Sequence, residues 1–257
     1  MSIWSFWVVL FLLGAMIGSF LNVCIMRIPA DMSVVSPASH CLSCKTPIPF
    51  YHNIPLASYI LLGGKCRQCG APIPFQYFFV ELLTPLVMLV LYYYFGFSWS
   101  FLIAFVFSAA LIVITFIDLA HKIIPDVISL PGIPLFFLCS FVVPWVDPLS
   151  SLIGILAGGG TLYAVAVGYH VLTKKEGMGG GDIKLLAMVG ALLGWKGALT
   201  TLMVGAFLGS IIGVALIILK GKDTKYAIPF GPFLATGAFC TLLWGDTIIH
   251  YYLTLGR

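Results

Sequence analysis

Two aspartates stand where a carboxylate is costly. Asp118 closes the apolar run that begins at Leu111, and Asp182 follows Gly177-Met-Gly-Gly-Gly181 at the head of another apolar segment. Ionisable groups within membrane-compatible segments are rare and functional by default. Two carboxylates that share a site do not ionise together readily: one keeps its proton and the other serves as a base. Such a pair can activate water, polarise a peptide carbonyl and protonate a leaving amine. Gly179, Gly180 and Gly181 carry no side chains and would let a substrate backbone come close to Asp182. Plainer roles stand beside these. Asp182 has the position of a helix cap, and Asp118 could snorkel toward Lys122. Asp126, after Pro125, reads as a helix start, and Glu81 as either an N-terminal charge or a buried functional group. There is no Ser/His/Asp pattern and no H-E-x-x-H motif.

The cysteines form a second constellation. Four of the seven form two C-x-x-C pairs, Cys41 with Cys44 and Cys66 with Cys69. Each pair opens a repeated unit: Cys41-Leu-Ser-Cys44-Lys-Thr-Pro-Ile-Pro-Phe50 returns 25 residues later as Cys66-Arg-Gln-Cys69-Gly-Ala-Pro-Ile-Pro-Phe75. Two facing knuckles would offer four thiolates to one tetrahedral zinc ion. Redox-active dithiols or unligated thiols are the alternatives. A metal here would chiefly fold a loop with little core of its own. Cys24, Cys139 and Cys240 lie in apolar runs and read as packing residues.

These residues must be positioned by elements that live in lipid. Of 257 residues, 61% are hydrophobic and 9% charged, against about 25% charged in soluble domains. That composition disfavours a soluble enzyme, a nucleic-acid binder and a disordered chain. Residues 27–76 are the one polar stretch, rich in Pro, Cys, Lys and Arg. The remainder divides at the usual length of about 20 residues into eight spans: 3–26, 77–96, 98–119, 126–146, 150–173, 182–195, 197–220 and 228–254. The sixth is short and is expected to begin in a cavity rather than in lipid. With the N-terminus outside, all 13 Lys and Arg except Lys196 and Arg257 fall on the cytoplasmic side, a strong positive-inside asymmetry. The first span lacks a basic n-region and does not read as a cleaved signal peptide. Glycines at four-residue spacing (Gly14 and Gly18; Gly154 and Gly158; Gly205, Gly209 and Gly213) predict close helix packing. The expected fold is an all-α polytopic membrane protein of about eight transmembrane helices with a cytoplasmic zinc-knuckle loop. Asp118 and Asp182 then share one depth on the cytoplasmic side.

In this order the motifs resemble those of the bacterial prepilin peptidases, which are bifunctional leader peptidases and N-methyltransferases. The resemblance rests on Gly18-Ser-Phe-Leu-Asn22 with Arg27-Ile-Pro29, both C-x-x-C pairs, Asn53-Ile-Pro55, Gly64-Lys-Cys-Arg67 and Glu81-Leu-Leu-Thr84. It continues through Ile117-Asp118, Ile124-Pro-Asp126, Gly179-Gly-Gly-Asp182-Ile-Lys-Leu-Leu186 and Ile228-Pro-Phe-Gly-Pro232. It implies an inner-membrane enzyme that cleaves type IV prepilins and pseudopilins after a glycine on the cytoplasmic side. The new amino terminus, usually Phe, would then be methylated with S-adenosylmethionine. The two aspartates of the G-x-G-D intramembrane proteases match Asp118 and Asp182. The resemblance also ties the cysteine loop and the stretch around Glu81 to methylation. It divides the chain into a first helix (1–26), a tetra-Cys loop (27–76) and a seven-helix peptidase region (77–257). His52 replaces a frequent acidic residue and Pro85 a frequent glycine, both near the methyltransferase part. No glycine-rich nucleotide fingerprint marks a cofactor site.

Two other functions fit parts of the pattern: a peptidase without methylation, and a transporter whose carboxylates relay protons or bind a cation. A transporter predicts inverted repeats between halves, and only the small cysteine repeat is present.

Overall fold

The computed structural model describes residues 3–49, 51, 53–174, 179–220 and 228–254. Phe50, His52, Lys175, Gly177, Lys222, Lys225 and Arg257, all used in the sequence reading, lie outside the described residues. The described chain is helical, with two isolated bridges and no strand. Eight α-helices follow in order: α1 (Ile3–Arg27), α2 (Ala57–Leu61), α3 (Phe75–Phe95), α4 (Trp99–His121), α5 (Asp126–Cys139), α6 (Pro148–Thr173), α7 (Gly180–Lys220) and α8 (Gly231–Thr254).

Six of these helices are long and apolar enough to cross a membrane when the kinked α7 is counted once, against the eight spans expected. The difference has two sources. Helix α5 is apolar but only 14 residues long, with Pro131 and Pro134 inside it. The segments expected as spans six and seven are the two helical halves of α7, which meet directly at a kink where Gly194 has non-helical backbone (φ 70°, ψ −178°). The interruption thus falls at the expected boundary, but the second half resumes without a loop. A side chain at that φ would be strained.

The chain forms two compact units, Met1–Val113 and Ile114–Arg257. In the first, α1 packs on α3 in antiparallel register through the expected glycines. A Cβ on Gly14 would sit 2.6 Å from the Pro85 Cα, and one on Gly18 would sit 3.0 Å from the Glu81 Cα. In the second, α7 is central and packs on α5, α6 and α8. Its first half is enclosed on every side: Leu185, Leu186, Met188, Val189 and Leu192 are fully buried. Gly158 of α6 lies against the Leu186 carbonyl, and Gly237 of α8 against the Thr201 carbonyl. Dispersion at such short range replaces the hydrophobic effect as the force between helices in lipid.

Candidate active site

Four pieces of the second unit meet at Asp118: the end of α4, the linker to α5, and the first turns of α7 and α8. Asp118 is 5% exposed. A carboxylate at the C-terminal end of a helix opposes that helix's own dipole. The fold answers with a different helix end, because the Gly231 N–H, at the start of α8, donates to Asp118 Oδ2 at 2.9 Å. Helix N-termini present free amide donors and positive potential to an anion.

Glycine is needed at position 231 for this contact. A Cβ there would stand 2.6 Å from Asp118 Oδ2 and 3.3 Å from Ile124 Cδ1. Ile124 also closes on the other side, lying 2.7 Å from where a Gly181 Cβ would be. It therefore ties the starts of α7 and α8 together beside Asp118. Asp182, the third residue of α7, is half-buried and within electrostatic reach of Asp118. The two aspartates singled out in the sequence are thus brought together across 64 positions.

The three glycines before Asp182 divide by surroundings. Gly179 and Gly180 are exposed, and a Cβ on Gly180 would meet nothing within 4 Å. Gly181 is small because Ile124 occupies the space beside it. Asp126 does start α5, yet its side chain caps nothing there. Both of its oxygens instead take Lys184 Nζ from α7, at 2.7 and 2.8 Å.

In the first unit the cysteine repeat is also a structural repeat. Cys41 N–H donates to the Thr46 carbonyl at 2.9 Å and Cys66 N–H to the Ala71 carbonyl at 2.8 Å. Lys45 and Gly70 N–H groups return to the carbonyls of Cys41 and Cys66, each at 2.9 Å. Both residues have positive φ, 58° and 70°. The bridges His40–Pro47 and Lys65–Pro72 complete the match. All four cysteine sulfurs lie within 4.8 Å of one another. Cys41 and Cys69 Sγ are 3.8 Å apart, the edge of a tetrahedron built on metal–sulfur bonds of about 2.3 Å. The donor set and its dimensions fit zinc. The Thr46 hydroxyl and amide hold the Cys44 thiol down at about 6. Cys66 is lowered by the Cys69 and Gln68 amides. At Cys69 the Ala71 amide is outweighed by desolvation and the neighbouring sulfurs, and the thiol is pushed up to about 11. So many sulfurs in one place cannot all shed protons without a cation among them.

Glu81 lies in α3 and is 9% exposed. Its Oε2 accepts the Leu56 N–H at 2.8 Å, from the end of the loop that carries the first knuckle. It is buried and stands past the first turn of α3, so it is not a charge at the helix N-terminus. Sequence reasoning had assigned no role to Gly231, Ile124, Leu56 or Asn22. All but Leu56 sit in motifs it did quote, and Pro232 after Gly231 is a helix-start signal. Nothing local could tell that this helix start serves Asp118.

Comparison with known proteins bears on both units. Residues 12–95 match the bacterial peptidase A24 N-terminal domain, and residues 105–214 match the type IV leader peptidase family. The chain is 36% identical to the prepilin leader peptidase/N-methyltransferase of Aeromonas hydrophila, over 98% of this chain and 95% of that protein. It is 36% identical to the protein of that name from Pseudomonas aeruginosa, over 94% and 91%. The Legionella pneumophila protein of the same name is 32% identical, over 97% and 95%. No solved structure matches the chain.

Proposed function

The chain belongs to the type IV leader peptidase family, and on that premise we propose that it removes the leaders of type IV prepilins and pseudopilins and methylates the amino terminus so exposed. The observation that carries the peptidase reading is the buried Asp118, braced by the Gly231 N–H, with Asp182 in reach. The relatives' names describe enzymes, so transport has no support from them.

In this reading Asp118 and Asp182 hold one proton between them. The ionised carboxylate takes a proton from water as the water oxygen attacks the scissile carbonyl. The protonated one polarises that carbonyl and passes its proton on to the departing amine. The pair titrates as a unit, so acid and base are not assigned to single residues. Gly179 and Gly180 leave open space beside Asp182 for the substrate backbone. The cleaved bond follows a glycine, and the dyad works at the cytoplasmic face of the bacterial inner membrane. The distribution of Lys and Arg supports an N-terminus on the outer side.

Residues 27–76 act as the methyltransferase-associated loop between helix 1–26 and the peptidase region 77–257. Cys41, Cys44, Cys66 and Cys69 hold a structural zinc ion there, and Glu81 anchors the end of the first knuckle's loop through Leu56. S-adenosylmethionine supplies the electrophilic methyl group, with Phe as the usual acceptor. Asp118→Asn and Asp182→Asn each test the dyad. Each is expected to lower leader removal by at least about 10²-fold while membrane insertion persists. Cleavage by either variant at the wild-type rate would refute it.

A further inference from the structure

Asn22 is 1% exposed and half-satisfied. Its Nδ2 donates to the Tyr77 carbonyl at 2.9 Å, but its Oδ1 has no partner. It is the one buried side-chain polar atom without a hydrogen bond among the described residues. Buried acceptors in native proteins are otherwise nearly always paired.

A second acceptor lies close by. The α1–α3 register sets Gly14 against Pro85, Gly18 against Glu81 and Asn22 against Tyr77. Asn22 is therefore about 6 Å along the helix axis from the rung that holds Glu81. Glu81 receives the Leu56 N–H and the Ser19 hydroxyl, and no Lys or Arg forms an ion pair with it among the described residues. Arg27, also on α1, uses Nη1 and Nη2 on the carbonyls of Ser33 and Pro37. The Leu56 backbone that feeds Glu81 is itself forced. It sits at φ 61°, ψ −51°, the centre of a γ-turn closed by Ala57 N–H on the Pro55 carbonyl at 2.6 Å. Turns of this hand are rare and strained, and strain of this kind gathers at functional sites.

An orphan amide oxygen and a carboxylate without a cation ask for the same thing: a ligand that donates and is positive. An ammonium making hydrogen bonds of about 2.8 Å to two oxygens spans roughly 4.5–5 Å between them, comparable with the axial offset of about 6 Å between the two rungs. We propose that Asn22 Oδ1 and the Glu81 carboxylate form a binding site for an α-ammonium group, with the Leu56 turn holding Glu81 in place. Two amines fit this chemistry: the amino terminus of the processed substrate and the amino group of the methyl donor. Only the identity of the amine rests on the methyltransferase reading.

The test uses the full chain in detergent micelles and three probes. These are an apolar hexapeptide beginning with a free Phe amino terminus, its N-acetylated form, and S-adenosylhomocysteine. Glu81→Gln keeps an acceptor for the Leu56 N–H and removes only the charge, and Asn22→Leu removes the orphan oxygen together with the Nδ2 donor to Tyr77. Both variants are expected to weaken one amine-bearing probe by about tenfold or more, with zinc content held in both and melting temperature held in Glu81→Gln. The acetylated peptide is expected to bind poorly to every form. Loss confined to the free peptide assigns the amine to the substrate, and loss confined to S-adenosylhomocysteine assigns it to the donor. Unchanged affinity for both amine-bearing probes in both variants overturns the site. So does weakening only in Glu81→Ala, which removes the turn's anchor as well as the charge. Wild-type protein that binds amine through Glu81 yet transfers no methyl group would instead refute the methyltransferase reading and leave the site standing.

Discussion

Gly231→Ala probes the dyad without touching a carboxylate. The new methyl group would stand 2.6 Å from Asp118 Oδ2, and ordinary contact begins near 3.4 Å. The carboxylate therefore retreats by about 0.8 Å. The same movement stretches the 2.9 Å bond from the Gly231 N–H beyond hydrogen-bonding range. A hydrogen bond to a charged group contributes roughly 1.5–3 kcal/mol, or about 10- to 150-fold in rate if that bond is needed in the transition state. Misplacing a reacting group by about 1 Å costs on the order of 10²-fold by a separate route. Both lead to a fall in kcat of about 10- to 100-fold with KM little changed. Ala is also the better helix former by at most about 1 kcal/mol, which only partly offsets the crowding at Asp118 and Ile124, so a modest fall in thermal stability accompanies the loss of rate. Initial rates of leader removal on a prepilin in proteoliposomes measure this. Gly160→Ala in α6, where a Cβ meets nothing within 4 Å, serves as control. A Gly231→Ala enzyme within twofold of wild type would show that the α8 amide does not position Asp118 for catalysis.

Cys66→Ser is expected to lower zinc content, measured by elemental analysis of purified protein. Unchanged metal would refute the four-sulfur site. With zinc stripped by chelator, Cys44 is the thiol to alkylate first at pH 7.5. Its lowered value of about 6 leaves it charged above that pH, and its reaction should fade as pH drops through 6. Cys69, pushed up to about 11, should stay unreactive throughout. Peptide mass spectrometry of alkylated protein reads both, and faster labelling of Cys69 than Cys44 would contradict the geometry. Asp126→Asn breaks an ion pair whose side chains are 36% and 57% exposed, so it should cost no more than about 1 kcal/mol in thermal stability. A larger loss would mean that the pair joins α5 to α7 more firmly than its exposure suggests.

What could be read before the fold was known follows from the range of each interaction. The cysteine repeat is local: a shift of 25 residues repeats a hydrogen-bond pattern that closes within eight residues, so sequence identity carries the geometry with it. Asp118 and Asp182 were legible for a different reason, since scarcity of charge makes each carboxylate conspicuous in an apolar chain. Hydropathy set the break between spans six and seven beside Gly194, where α7 kinks, but it measures composition and not length, so it did not show that the segment holding Pro131 and Pro134 forms a helix of only 14 residues. The contacts that finish the sites were hidden altogether. Gly231 meets Asp118 across 113 positions, and Leu56 meets Glu81 across 25. In both cases a backbone N–H does the holding, and a backbone amide has no signature in sequence. The shared pattern is that each of these two buried carboxylates takes a main-chain donor and, among the described residues, no ion pair with Lys or Arg. A main-chain donor braces a carboxylate without neutralising it, which is what the proposed roles need: proton exchange between Asp118 and Asp182, and a cation held by Glu81.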